Sequence, residues 1–466
     1  MNEINHHINH YQEPGYEPID VIQNWPGNGD VSAGQLSNMA PFYDQNENGI
    51  YEPMEGDYPL IRGTKAIFFI FNDDRDIHTE TEGKKLGIEV HGMAYSFHEP
   101  ADSALWNSVF VHYDIYNRSG NTYSDTYIGN FTDFDIGNPN NDYVLCDVQR
   151  GAFIGYNGTD YDPDEDETLG YHENLPALAV VLVGGAYMDN DQQDNPLGGC
   201  DESINGLNFG NGITDDERYG LTRLISSQNN NSAIGDPNIA PEYYNYLKGI
   251  WKDNTNLMYG GNGHMIWGAV GPECNFMFPG DSDPCNWGTG GALPNGGYNQ
   301  GDLFWTTEEA GNPPYDIRGI SVSGPVTFEP GDKQEIDLVF AFARNYAKAD
   351  PVDILLERID DIKGLVVENG ITELPETLGV NQTRVNNIQI MVYPNPVKND
   401  ILHVKCKNID QEIDYSIVDV SGLITGSGTF NPAYQNSIDL SDLSAGLYII
   451  RFTSDNISEF VKFIKQ

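Results

Sequence analysis

Basic residues are scarce in this chain: 24 lysines and arginines stand against 70 aspartates and glutamates over 466 residues, a net charge of −46. A polyanion of this size repels nucleic-acid phosphates and anionic lipid headgroups. That excludes a nucleic-acid partner and favours divalent cations and neutral polar polymers such as glycans. No apolar run approaches the ~20 residues of a transmembrane helix, so no transmembrane segment is expected. Cysteine is also sparse. The five cysteines include no Cys-x-x-Cys pair, which argues against zinc. We expect Cys274 and Cys285 to bridge a Gly/Pro-rich loop, Cys146 and Cys200 to form a second disulfide, and Cys406 to be free and buried in a strand. The opening Met1–His10 is polar and His-rich, without the apolar core of a signal peptide; we expect the native N-terminus to lie upstream. No G-x-S-x-G, H-E-x-x-H, P-loop or G-x-G-x-x-G signature is present.

What is abundant is aromatic and glycine: Phe, Trp and Tyr make up 11% of the residues, and there are 50 glycines. Rings on that scale imply a packed core despite the charge. Short apolar-aromatic runs separated by turn residues imply strands. Lys65 to Asn72 is one such run. Ser108 to Tyr116 alternates, placing Val109, Val111, Tyr113 and Ile115 on one face and Phe110, His112, Asp114 and Tyr116 on the other. Further strands are expected at Tyr123 to Phe131, Ala177 to Val183, Ile317 to Val322 and Gln334 to Ala343. Residues 189–314, rich in Asn, Gly, Asp and Pro, read as a loop-rich insertion with one short helix near Pro241. A longer helix is predicted from about 351 to 369. Asp350 is its N-cap, Pro351 its first residue, Leu355, Ile359, Ile362 and Val366 its apolar stripe, and Gly370 its stop.

Residues 381–387 are polar and read as a linker, and 388–466 as a separate module. Acidic and basic residues nearly balance there, so the acidic excess belongs to the chain before it. The module opens with Tyr393-Pro394-Asn395-Pro396, turns at Ser421-Gly422, and continues through Leu443-Ser444-Ala445-Gly446-Leu447-Tyr448 to a last strand carrying Lys462 and Lys465. These residues resemble, in order and spacing, the type A C-terminal sorting domain of the Bacteroidetes type IX secretion system. The resemblance implies an immunoglobulin-like β-sandwich and passage through the outer membrane by the type IX machinery. It further implies cleavage, with release or attachment to surface lipopolysaccharide. Tyr393, Pro394, Asn395, Pro396, Gly422, Gly446, Tyr448, Lys462 and Lys465 would carry the sorting signal. Phrases upstream, such as Phe278-Pro279-Gly280-Asp281 and Gly324-Pro325-Val326-Thr327, resemble large exported Bacteroidetes proteins, a family that supplies no activity to transfer.

The sharpest local motif runs from Asp44 to Glu55 and fits D-x-[DN]-x-[DN]-G-x5-E. Calcium takes six to eight hard oxygens, and Asp44, Asn46, Asn48, the Ile50 carbonyl and Glu55 stand at ligand positions, with Gly49 at the bend. Pro41, Gly56 and Pro59 preclude flanking helices, so the expectation is a structural calcium loop. A second metal set is expected from Asp133, Asp135, Asn140 and Asp142. Trp251, Trp267, Trp287, Trp305 and Tyr298 in the insertion suit either a sugar-binding surface or a local core.

The sequence therefore predicts an all-β protein. Residues 1–60 form an N-terminal segment with the calcium loop. Residues 61–380 form a large β-sandwich-like domain with the long loop-rich insertion, and a small immunoglobulin-like sandwich follows. The expected function is an extracellular or outer-membrane-surface protein without catalysis: an adhesin, glycan binder or structural component braced by calcium. The alternative is a secreted hydrolase, a glycoside hydrolase before others, because paired carboxylates from distant strands leave no local motif.

Overall fold

The computed structural model describes residues 1–165, 168–196, 205–229, 231–294, 304–344, 350–375, 389–393, 397–398, 400–407, 413–419, 424–431, 437–441, 443–454 and 457–465. The chain divides into two compact units, Met1–Glu376 and Thr377–Gln466.

The first unit begins with the helices α1 (Asn2–His10) and α2 (Asp20–Gln23) and a two-residue pairing of β1 (Phe42–Tyr43) with β2 (Tyr58–Pro59). Its body is built from β3 (Lys65–Asn72), β4 (Ile88–Ser96), β5 (Ser108–Asn117), β6 (Tyr123–Asp133), β7 (Asp142–Asp147), β8 (Ala152–Asn157), β9 (Pro176–Gly184), β10 (Arg223–Ser227), β11 (Arg318–Phe328) and β12 (Lys333–Arg344). Helices α3 (Ser103–Trp106), α4 (Ala240–Leu247) and α5 (Pro351–Asn369) complete it. The strands form a seven-stranded sheet, ordered β3-β4-β5-β12-β9-β8-β7, and a three-stranded sheet, β10-β11-β6. Apolar residues of both sheets share one core: Tyr113, Ile115, Leu182, Ile336 and Leu338 from the larger, Ile128, Leu224, Ile320 and Val322 from the smaller. The fold is the all-β sandwich the alternation implies.

The opposite face of the large sheet takes α5, which packs on β9 and β12. Asp350 caps the helix by accepting the Val352 N–H at 2.9 Å, and Gly370 ends it in the left-handed conformation (φ 56°). Leu355, Ile359, Ile362 and Val366 are its buried stripe. Full burial of each such side chain contributes about 1.5–3 kcal/mol. The strands beneath present small residues, Ala177, Ala179, Ala341 and Ala343, all buried, which let the helix lie close.

The insertion holds more structure than its composition implies. It contributes β10 and α4, and it buries several of its large aromatics. Trp251 and Trp305 are 0% exposed and belong to the same core as the two sheets. Their indole N–H groups donate to the carbonyls of Gly263 (2.8 Å) and Gly261 (2.9 Å). An unpaired indole donor would be costly at such depth, and a glycine-rich loop lets the backbone reach it.

Both expected disulfides are corrected. Cys146 and Cys274 are free and buried in the main core. Cys285 is disulfide-bonded, so its partner is not Cys274. Cys146 lies on β7 and faces the core, where it packs as a small apolar residue. Cys200 lies outside the described residues.

The second unit holds β13 (Gln389–Tyr393), β14 (Ile401–Lys407), β15 (Ile413–Asp419), β16 (Ile424–Phe430), β17 (Ser437–Asp439), β18 (Gly446–Ser454) and β19 (Ile457–Lys465). They make two antiparallel sheets, β13-β14-β17 and β16-β15-β18-β19. Leu402, Val404, Ile417, Phe430, Ile450 and Phe452 lie in the core they share.

Candidate functional site

The predicted calcium loop is a closed turn system between β1 and β2. Asp44 accepts the N–H groups of Asn48 (3.2 Å) and Gly49 (2.6 Å), Asn46 accepts that of Asn48, and Asn48 accepts that of Ile50. Gly49 adopts φ 77°, the bend the motif requires. Glu55 sits on a separate short turn, Pro53–Glu55, and is exposed. The residue that ties the loop base together is one the motif does not contain. Asp57 is 0% exposed and accepts the N–H groups of Gln45 (2.8 Å) and Glu52 (2.7 Å).

The second expected metal set is partly assembled. Asp133 ends β6, Asp135 follows it, and Asp316 precedes β11; their carboxylate oxygens lie within 4.8 Å of one another. Asp142 starts β7 and is 2% exposed. One of its oxygens accepts the Ile136 N–H at 3.0 Å, while the other, Oδ1, is buried without a partner. Burial pushes the Asp142 carboxyl up to about 8, with the charges of Asp162, Asp135 and Asp316 adding to the rise. Asn140 is not brought in. It is exposed, and its amide reaches Glu165 instead. The sequence could not supply Asp316, which arrives from a strand far along the chain. Asp162, 0% exposed, holds the turn by accepting the N–H groups of Asn138 and Tyr171. Gly137 (φ 68°) must be glycine, since a Cβ there would come within 1.9 Å of Asp162 Oδ2.

A third constellation spans the sheet face away from the main core. The register pairs His112 with Asp337 and Asp114 with Glu335. His112 Nδ1 lies 2.7 Å from Asp337 Oδ1, and Arg218 Nη1 lies 2.8 Å from Asp337 Oδ2. His112 Nε2 faces Asp114 at 3.4 Å, an ion-pair distance without hydrogen-bond alignment. Lys333 pairs with both Asp114 (3.0 Å) and Glu335. His112, Asp114 and Glu335 could share a metal ion by distance, but Lys333 pairs with both carboxylates, so neither is left without a cation. Burial opposes charge on His112, yet Asp114 and Asp337 outweigh it and hold the imidazole above its usual pKa. Burial likewise opposes charge on Asp337, and Arg218 and His112 hold its carboxyl below the usual range. The network ties β5, β12 and Arg218 together as a structural clamp, with Arg218 Nη2 left buried without a partner among the described residues.

An open concavity lies elsewhere. A cleft of about 850 Å³ runs along the ends of β7 and β8 to the first turn of α5. Tyr143, Tyr156 and Tyr161 line it together with Asp160, Glu173 and Glu308, and Asp350 stands at its edge. The Tyr143 and Tyr156 rings meet edge-on at 6.0 Å. Tyr161 is 49% exposed, with its hydroxyl 2.8 Å from His172 Nδ1. Burial, and after it the Glu308 carboxylate, pushes the Tyr156 hydroxyl up, so it stays a protonated donor. Among the described residues no lysine or arginine lines the cleft. None of the insertion tryptophans is there. Trp251 and Trp305 are core, Trp287 packs on Phe276 at 5.5 Å, Trp267 is exposed on a loop tip, and Tyr298 lies outside the described residues.

In the second unit, Tyr448 is buried, its ring stacked 5.7 Å from Phe463 and its hydroxyl donating to Ser444 O at 2.9 Å. Gly446 opens β18, Tyr393 ends β13, and Lys462 pairs with Ile449 in the β18–β19 register. Lys465 is buried. Its ammonium donates to the carbonyls of Leu440 (2.6 Å) and Leu443 and pairs with Asp400 at 2.9 Å. Pro394, Asn395, Pro396 and Gly422 lie outside the described residues.

No curated protein matches the chain. Among solved structures it is similar to a polysaccharide lyase, with 7% identity and a TM-score of 0.21 over 88% of this chain and 40% of the lyase. The chain thus spans less than half of that protein, and nothing is transferred from so low a likeness. No described helix is long and apolar enough to cross a membrane. Residues 391–466 match the family described as the secretion system C-terminal sorting domain, and the chain is thereby an exported protein, cargo of the type IX secretion system.

Proposed function

We propose that the first unit is a non-catalytic glycan-binding domain, delivered to the cell surface or beyond as an adhesin or structural component and braced by calcium at the Asp44 loop. The observation that carries the glycan reading is the cleft with three tyrosines and several carboxylates. Aromatic rings offer flat apolar surface to sugar C–H faces, while carboxylates and tyrosine hydroxyls pair with sugar hydroxyls. The volume suits an oligosaccharide segment. A described lining rich in carboxylates favours neutral sugars over uronates. Asp44, Asn46, Asn48, the Ile50 carbonyl and Glu55 remain the oxygens offered to the bracing ion.

The test is a glycan array on the full chain, in calcium and in EDTA, with Tyr156→Ala and Tyr161→Ala beside it. We expect neutral glycans to bind and each variant to weaken binding about tenfold, roughly 1.4 kcal/mol. Tyr161 is exposed, so its variant controls for folding. Binding unchanged in both variants would remove the cleft from the account. Release of shortened product would instead assign the cleft carboxylates to hydrolysis.

A further inference from the structure

The corner where β6, β7 and β11 meet carries more negative charge than its partners neutralise. Asp133, Asp135, Asp142, Asp236 and Asp316 gather there, and Arg318 pairs with three of them. It reaches Asp316 at 2.6 Å, Asp236 at 2.8 Å and Asp133 at 3.2 Å. Asp135 makes no hydrogen bond or ion pair among the described residues, although its oxygens are within 4.8 Å of those of Asp133 and Asp316. On the inner side the backbone places Asp142 against both neighbours. Its side chain takes the Ile136 N–H, and its carbonyl takes the Tyr315 N–H at 3.1 Å. Asp142 is 2% exposed and its Oδ1 has no partner. A buried acid oxygen left without a partner is costly. An unpartnered acid oxygen at that depth, beside the Asp135 and Asp316 carboxylates, is a donor that a cation would satisfy.

We propose that this corner is a calcium site, with Asp133, Asp135 and Asp316 holding the ion from the solvent side and Asp142 facing it from the buried side. All four donors are hard carboxylate oxygens, the chemistry calcium takes, and none is a nitrogen or sulfur donor. The ligands come from both sheets: Asp133 and Asp316 flank β6 and β11 of the small one, and Asp142 starts β7 at the edge of the large one. The ion therefore pins the sheets together at one end of the sandwich. This site is separate from the Asp44 loop and from the tyrosine cleft, and it stands or falls without them.

The test uses the full chain stripped with EDTA, then titrated with calcium by calorimetry and with terbium by luminescence. Wild type is compared with Asp135→Asn, Asp142→Asn and, as a control for the other loop, Asp44→Asn. Asp135→Asn should weaken one ion at least tenfold or remove it, with no change in the EDTA form. Asp142→Asn should lose the same ion and be no less stable than wild type in EDTA, since Oδ1 has no partner there to lose. Asp44→Asn should leave this ion in place. Unchanged stoichiometry and affinity in both Asp135→Asn and Asp142→Asn would overturn the proposal. Equal competition by magnesium at the same concentration would overturn the assignment to calcium. Asp135 is exposed, so its variant tests the site even where Asp142→Asn fails to fold.

Discussion

Replacing Arg218 by methionine is expected to cost the first unit about 3–5 kcal/mol, because it leaves a buried carboxylate without its chief partner. Arg218 and Asp337 are 4% and 2% exposed, and the guanidinium also donates to Gly185 O at 2.8 Å. Urea unfolding of the full chain reads the effect as a lower midpoint for the first unit. A midpoint within experimental scatter of wild type would show that His112 alone satisfies Asp337. The pH profile gives a second readout. Asp337 is held below its ordinary 3.8, so its contribution is present above that value and is lost as pH falls. His112 is held above its ordinary 6.5, so its contribution is full below that value and is lost as pH rises through the folded-state pKa. The clamp is strongest between these limits. In Arg218→Met the acid limb should move to higher pH while the alkaline limb stays near its wild-type position.

The second large effect is expected at Lys465. Its ammonium is 6% exposed and satisfies two carbonyls, those of Leu440 and Leu443. Lys465→Met keeps the apolar stem and leaves both carbonyls dry, at a cost of about 2–3 kcal/mol. The pair with Asp400 adds little, since that carboxylate is largely in solvent. A calorimetric scan of the full chain should show the transition of the second unit falling while that of the first is unmoved. Because the match to the sorting domain runs through this residue, the secreted fraction should fall with it. Normal secretion at a normal unfolding temperature would make Lys465 a surface ornament, contrary to its burial.

Local chemistry was legible and long-range chemistry was not. Helix α5 could be read from Asp350, Pro351, a four-residue stripe and Gly370, because every signal lies within one segment. The alternation from Ser108 to Tyr116 placed His112 and Asp114 on the polar face, but not their partners. Asp337 comes from a strand more than two hundred residues away, and Arg218 comes from the insertion. For the same reason Asp133, Asp135 and Asp142 could be grouped by proximity in sequence, while Asp316 replaced Asn140 only once β6 and β11 paired. Cysteine pairing failed because spacing says nothing about which side of a strand faces the core; Cys146 faces it and is sealed there. The tyrosines of the cleft gave no signal: Tyr143, Tyr156 and Tyr161 belong to no motif and come together only where β7 and β8 lie beside the start of α5.

Trp251 and Trp305 carry a consequence for how this protein can change over generations. An insertion that merely decorates a sandwich can be lost, lengthened or exchanged between relatives with little effect on its host. This one cannot. Its two indoles sit in the common core and are anchored to carbonyls of their own glycine-rich loop, so the stretch and the sheets are inherited as a single unit. Recombination that grafted residues 189–314 alone would carry the rings away from the surfaces that enclose them. Variation should therefore collect at the exposed tip around Ile266 and Trp267, where nothing is enclosed and substitution leaves the core intact.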